Sequence, residues 1–506
     1  MSNRLILSFG LLVLCVLLFG RCQRDTPPPH PGQLLATTYC ASCHQLPTPD
    51  QLTREIWTDE VLPKMGAFYG IYESYPRRYF LENPDNAPYV DHLYPEQPVM
   101  DTADWHQIVD YFVGQAPDRL LGSKAPQDLL QLRLFRPVPI YDSTTTTAPY
   151  TTLLQFDTLH RHIITGGPGR GLRTFTADHN LLSTNPLTST PSDLDVATGQ
   201  VLLMGSLLPS DIPRGSLTDL AGTRVPAFPD SLARPVQMVQ LDLDQNGRLE
   251  TVVAEYGNMV GYLNSYELTE ETGTYRKCTL QNQAGALRLR VADLDRDGHD
   301  DLLVLYAQGN ESVIAYLSKP GTFERRELLS FPAVYGSSDL EVVDFDGDGD
   351  LDLLCTNGDN FDYQPIPKPY HGIRIYLNDG EGHFSEAYFY PMDGAYDLAV
   401  DDFDLDGDMD IAAIAYFIPP SLRATRSFVF LEQQDRGGSE LSFTAASFVK
   451  ESDQHYLTMA AGDVDADGDT DLLIGSFAAY LPDGLRGQPS TVTQAPVYIY
   501  LENLAR

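Results

Sequence analysis

The sequence predicts a multidomain chain: a small all-α domain followed by an all-β propeller of seven blades. Three observations carry this expectation. A nine-residue pattern rich in Asp returns at intervals of 51, 51, 58 and 61 residues, every copy is flanked by apolar strand-like runs, and an earlier stretch places its apolar residues at helical spacing.

The chain of 506 residues is long enough for more than one domain and for a large core. It carries 70 acidic against 34 basic residues, a formal net charge of −36. That balance excludes nucleic acid as a partner, because phosphates need Lys and Arg. Much of the acidic excess sits in the Asp-rich pattern, where bound cations would offset it. Of six cysteines, Cys278 and Cys355 lie in different repeats and are expected to be free and buried.

Residues 1–22 open with Arg4 and continue through the apolar run Leu5 to Phe19 to Gly20, Arg21 and Cys22. The run is short for a membrane span and reads as an export signal. Its end resembles a bacterial lipoprotein signal, which implies lipid attachment at Cys22 and a tether to the outer membrane. Arg21 stands where that pattern has a small residue. Residues 23–33 form a Pro-rich spacer.

Residues 34–118 make up the α domain. It begins with Cys40-Ala-Ser-Cys43-His44, the CxxCH attachment signature of a c-type haem. The spacing presents two thiols to the haem vinyl groups and an adjacent imidazole to iron. A helix with Trp57, Val61 and Leu62 on its apolar face follows and ends near Met65; a last helix carries Trp105, Ile108, Val109 and Phe112. This order resembles a small class I cytochrome c domain. The resemblance implies haem c held covalently by Cys40 and Cys43, His44 as proximal ligand, and a thioether as the sixth. Met65 is the first choice for that ligand and Met100, just before the last helix, the alternative. His92 and His106 read as ordinary surface or core residues.

Residues 119–140 read as a connector in which 131–140 already alternates like a strand, and 141–506 as the propeller. The pattern's cleanest copy is Asp344 to Asp352, with Asp344, Asp346, Asp348, Asp350 and Asp352 at positions 1, 3, 5, 7 and 9 and Gly349 at position 6. Alternate residues of a tight loop converge. Two such charges about 4 Å apart would repel by roughly 4 kcal/mol at an effective dielectric near 20, so a hard cation is required. Oxygen ligands in this number suit Ca²⁺, with position 7 offering its backbone carbonyl and Gly at position 6 permitting the reversal.

The other copies supply Asp242, Asp244, Asn246, Arg248 and Glu250; Asp293, Asp295, Asp297, His299 and Asp301; Asp402, Asp404, Asp406, Asp408 and Asp410; and Asp463, Asp465, Asp467, Asp469 and Asp471. About five Ca²⁺ are expected. Position 12 is never acidic, which sets aside an EF-hand. Two weaker copies, from Phe156 and from Asp193, complete seven repeats of roughly 52 residues, enough for four-stranded blades. The loops resemble those of the integrin α-subunit propeller and the VCBS or FG-GAP repeat family, and the whole chain resembles exported bacterial proteins that join a cytochrome c to such repeats.

Two stretches remain. The insertion 357–374 brings Asn357, Asp359, Asn360, Asp362, Lys368, Tyr370 and His371 into one loop on the face opposite the metal loops. It is expected to pack over the central channel, with a carbohydrate or protein ligand site as the second reading. GGPGRG, 166–171, lacks the Lys-Ser/Thr pair of a phosphate loop and reads as a β-turn. The first functional expectation is an exported, membrane-tethered electron-transfer protein at the periplasm or cell surface that docks a redox partner protein, a carrier rather than a catalyst. The alternatives are a haem-linked oxidoreductase and a carbohydrate-binding or carbohydrate-cleaving propeller.

Overall fold

The structure is a computed structural model that describes residues 29–81, 85–121, 129–142, 149–221, 223, 225, 228, 231–269, 272–360, 366–418, 427–434, 441–448, 455–477 and 495–506. The export signal and Cys22 lie outside the described residues, as does Asp362. Among the described residues no helix is long and apolar enough to cross a membrane.

Helix formation in the N-terminal part follows local chemistry. Helix α1 (Pro31–Tyr39) starts on a proline, whose missing N–H costs nothing at that position. A single turn, Cys40–Ser42, continues it. Helix α2 (54–68) is capped by the Thr53 hydroxyl and widens through a π-type turn at Trp57–Val61. Helix α3 (Thr102–Gln115) is capped by Asp101, whose carboxylate accepts the Ala103 N–H at 2.8 Å. The helices converge on Trp57, Ile56, Trp105, Ile108 and Phe112, and the Trp57 and Phe112 rings lie 4.4 Å apart. Gly32 lets α1 cross α3 closely: a Cβ there would fall 1.9 Å from the Gln107 carbonyl oxygen.

Seven antiparallel sheets follow, at 153–185, 191–219, 235–281, 286–330, 337–391, 395–447 and 456–503. We number them blades 1 to 7. Blade 2 shows three strands among the described residues. The inner strands meet one another in sequence and the last meets the first, so the ring is closed.

The second strand of each full repeat is buried along its whole length, as in Asp301–Tyr306 and Asp352–Asn357. Period-two alternation explains why. Leu302 and Val304 face blade 3, while Leu303 and Leu305 face blade 5. Seven apolar clusters of this kind each join one pair of neighbouring blades.

The seven-blade count follows the seven sequence repeats, but two boundaries differ. Phe135–Ile140, assigned from sequence to the connector, is the fourth strand of blade 7 and pairs antiparallel with Tyr498–Asn503. Leu130–Gln131 adds to blade 6 in parallel with Phe443–Ser447. Closure therefore recruits strand-forming residues from before position 141. In blade 2, Asp193 is not the first residue of a loop. It lies on the inner strand Pro191–Asp195, buried, and accepts the Met238 N–H of blade 3 at 2.8 Å.

The helical part seats on the end of the propeller opposite the Asp-rich loops, over blades 2 to 5. Val334 and Tyr370 belong to its core cluster, with Tyr335 and Ile366 packed against them, and Val260 packs beside Val90 and Tyr94. Buried Asp211 accepts from the Asn86 side-chain amide at 3.1 Å, while its own N–H donates to Asn86 Oδ1 at 2.9 Å.

Candidate functional site

The five Asp-rich loops each join an inner strand to the buried second strand, and they share one backbone. Position 4 has a left-handed φ in all five, at Gln245, Arg296, Gly347, Leu405 and Ala466, and so does the glycine at position 6. Position 1 accepts the N–H of that glycine: Gly247 to Asp242 at 2.8 Å, Gly298 to Asp293 at 2.9 Å, Gly349 to Asp344 at 3.0 Å and Gly407 to Asp402 at 3.1 Å. Position 5 accepts the N–H of position 7, as Arg248 donates to Asn246 and Asp350 to Asp348. These bonds leave the side chains facing one volume. One oxygen from each of Asp344, Asp346 and Asp348 lies within 4.8 Å of the others, and Asp242, Asp244 and Glu250, Asp293, Asp295 and Asp297, and Asp402, Asp404 and Asp406 form the same arrangement.

Position 9 differs from the rest. Asp301, Asp352 and Asp471 are fully buried; one oxygen of each accepts the N–H of position 2 and the other accepts an N–H from the third strand, Ser318, Asn378 and Asn503 respectively. Glu250 likewise accepts from Leu243. This carboxylate braces three strands whatever else it holds.

The interior is short of positive charge. Asp244 Oδ1, Asp344 Oδ1, Asp402 Oδ1, Asp463 Oδ1 and Asp410 Oδ2 are buried without a hydrogen-bond donor. Burial, then the charges of Asp404, Asp408 and Asp406, push the Asp410 carboxyl up to about 8; burial and neighbouring aspartates push Asp408 and Asp469 up to about 6. Asp465 and Asp467 stand at the exposed mouth of the last loop. At position 7 the side chains turn outward where they are not acidic: Arg248 pairs with Glu267 at 2.6 Å and His299 is exposed.

In the helical part, Cys40 and Cys43 are free thiols on one turn, with the Cys43 N–H bonded to the Cys40 carbonyl at 3.4 Å. Cys43 is exposed, whereas Cys40 lies at the edge of the apolar cluster with Leu35, Leu46 and Met65. Burial, then Cys43, pushes the Cys40 thiol up to about 11, so it stays protonated. His44 Nδ1 lies 3.0 Å from the Gln45 carbonyl oxygen. Met65 is half-buried at the cluster edge, and Met100 is inside it at 7 % exposure. His92 is exposed, and exposed His106 pairs with Glu73 at 2.8 Å. Cys355 is buried as expected, but Cys278 is exposed, because it lies on an outer strand.

The described residues of the insertion, 357–360 and 366–374, pack against the helical part. Tyr370 packs into the helical core and stacks on Tyr335 at 4.9 Å, and Asn357, Asn360, Lys368 and His371 are buried. Neither ring nitrogen of His371 has a hydrogen-bond partner among the described residues, and burial, then Lys368 and Arg374, hold its pKa well below the usual range. The arrangement makes this segment a seat for the helices. GGPGRG forms the tight turn between two strands of blade 1, as its composition implies.

Sequence reasoning missed a ring of polar side chains on the inner strands: Asp193, Gln237, Arg288, Asp339 and Asp397, each one residue beyond a bulge. Several accept a backbone N–H from the next blade, as Asp339 does from Leu398 at 3.1 Å and Asp397 from Met459 at 2.9 Å. Arg288 donates to Asp339 at 2.7 Å. The signal was present, since a polar residue stands five positions before Asp242, Asp293, Asp344 and Asp402.

Residues 242–304 and 293–355 match the FG-GAP-like repeat family. No protein of curated function matches the chain. Among solved structures it is similar to the Pan2 WD40 domain of Neurospora crassa, at 8 % identity over 74 % of this chain and 97 % of that one, with a TM-score of 0.42. It is also similar to the Cps50 (Swd1) β-propeller domain of Myceliophteria thermophila, at 12 % identity over 70 % and 96 %, with a TM-score of 0.39. The chain carries FG-GAP repeats on a seven-bladed β-propeller with a small helical part near its N-terminus.

Proposed function

We propose that this protein is an exported electron carrier whose helical part holds one haem c and whose propeller is a calcium-stiffened body for docking a redox partner protein. FG-GAP repeats on a propeller suggest a docking or binding role. The haem reading is carried by the turn at Cys40. A carbonyl oxygen can only accept, so the contact with Gln45 puts the His44 proton on Nδ1 and leaves the Nε2 lone pair for a metal. Two unpaired thiols stand on the same turn, one of them against apolar side chains that exclude water.

Cys40 and Cys43 would hold the haem and His44 would be its proximal ligand. Met65, half-buried at the rim of the cluster that Cys40 also borders, fits the sixth position better than Met100, which is packed inside the core. When bound, the haem would supply a one-electron couple, and a thioether ligand would raise its potential. The donorless carboxylate oxygens and the shared loop backbone support calcium at Asp242, Asp344, Asp402 and Asp463 with their partners, while the Asp293 loop shares the backbone but has no such oxygen. The export signal and Cys22 support a lipid tether on the periplasmic or outer face of the cell.

The test is a pyridine haemochrome spectrum of protein matured in a host with c-type haem attachment, read beside metal analysis. Wild type is expected to show covalent haem and bound calcium, and H44A to lose the low-spin reduced band with the propeller still folded. A normal spectrum in H44A, or no covalent haem in wild type, would overturn the haem reading.

A further inference from the structure

The five loops share a backbone but not an interior, and the fourth blade is the exception. Lys319, at the end of the third strand Ser312–Lys319, reaches into the loop of its own blade. Its Nζ donates to Asp295 Oδ2 at 2.7 Å and to Asp297 Oδ2 at 2.9 Å, the carboxylates at positions 3 and 5. Asp293 is satisfied from the backbone by Asp297 and Gly298, and Asp301 by Leu294 and Ser318. No oxygen of this loop is among the buried donorless ones, whereas the loops of blades 3, 5, 6 and 7 each contain at least one.

Other cations near the loops stop short of the interior. Arg296 contacts the Gly349 carbonyl and Asp350 at the rim of blade 5, and Arg506 lies 3.4 Å from the Asp467 carbonyl in blade 7; Asp344 Oδ1 and Asp463 Oδ1 stay without a donor. The residue after the strand N–H that binds position 9 is Lys319 in blade 4, but Asp379, Gln434 and Leu504 in blades 5, 6 and 7.

We infer that the Lys319 ammonium is the resident cation of blade 4's loop, so that this loop excludes the calcium ion that the other four take up. The inference rests on the calcium reading of the loops and deepens it. An incoming ion would have to displace an ammonium that is covalently tethered and makes two charge-assisted bonds. Such a tether makes the competitor's effective concentration high and independent of what is in solution. The fourth blade is thereby held whether calcium is present or withdrawn.

Equilibrium dialysis of the full haem-loaded chain against calcium measures the count, in wild type, K319A and K319Q, with K277A as a control that removes an exposed lysine elsewhere. Wild type and K277A are expected to hold four ions per chain, and K319A and K319Q one more. Equal counts in wild type and both Lys319 variants would overturn the inference while leaving the calcium reading standing; no bound calcium in any of the proteins would overturn both.

Discussion

Tyr370 donates its hydroxyl to the Gln51 backbone carbonyl at 2.9 Å and so fastens the fifth blade to the helical part across 319 residues of chain. Removing that bond alone, in Y370F, is expected to cost about 1 kcal/mol of docking. Y370A also removes the ring stacked on Tyr335 and should cost about 3 kcal/mol or more. Limited trypsin digestion reads the difference at exposed Arg119, just after the last helix. Cleavage should quicken slightly in Y370F and strongly in Y370A, while the propeller resists; an unchanged rate in Y370A would show that docking does not depend on this side chain.

Positions 3 and 9 of the loops should separate metal dependence from bracing. In D352N one of two buried backbone acceptors is lost, so the melting temperature is expected to fall with calcium present or chelated, by an amount equivalent to about 1–3 kcal/mol. D346N touches an exposed carboxylate and should lower the melt only when calcium is present. Chelation of wild type is expected to lower its melt as well, since metal bound by the folded state alone stabilises it by about 2.7 kcal/mol per site at a hundredfold excess over Kd.

Glu311 supplies a pH dependence independent of metal. Its carboxylate accepts from Gly336 N–H at 3.0 Å and Ser337 N–H at 2.8 Å, joining blade 4 to blade 5, and burial pushes it up to about 7. The unfolded chain releases this proton near pH 4.5 and the folded protein only near 7, so the folded state binds more protons between those values. Stability from this group therefore falls as pH rises through that window and is level above it, with a span of roughly 3 kcal/mol. E311Q should flatten the decline of denaturation midpoints between pH 4.5 and 7 relative to wild type; parallel curves would show that Glu311 does not titrate there.

Backbone strain at loop positions 4 and 6 can be relieved or imposed. Leu405 adopts a φ of 61°, which costs a branched residue about 1–2 kcal/mol. L405G is expected to raise the melting temperature slightly. Gly407, at φ 102°, has open space around it, so G407A should destabilise through conformation alone. Thermal melts of the two variants should move in opposite directions.

The five loops were legible because a shared turn, with a left-handed glycine at position 6 and an acceptor carboxylate at position 1, puts Asp and Gly at fixed positions within nine residues. The blades were legible because burial on both faces of the second strand leaves an unbroken apolar run, as in Leu302 to Leu305. Lys319 was not, because it lies on a different strand from the carboxylates it meets, and only pairing brings it back. The role of Tyr370 was hidden for the same reason: its partners, Gln51 and the helical core, are far away in the chain. In the helical part the spacing of Cys40, Cys43 and His44 stands in the sequence, whereas the burial that separates half-buried Met65 from buried Met100 does not.

The shared seventh blade sets the order in which this molecule can be finished. Arg136 and Glu502 meet across 366 residues, with the guanidinium Nε 2.8 Å from the carboxylate, on strands that pair from Phe135 with Asn503 to Ile140 with Tyr498. Blades whose strands are contiguous in sequence can form as they are synthesised, but the circle has no clasp until Tyr498–Asn503 pairs with Phe135–Ile140. A nascent chain without Tyr498–Asn503 is an open arc, with Phe135–Ile140 still lacking the strand it pairs with.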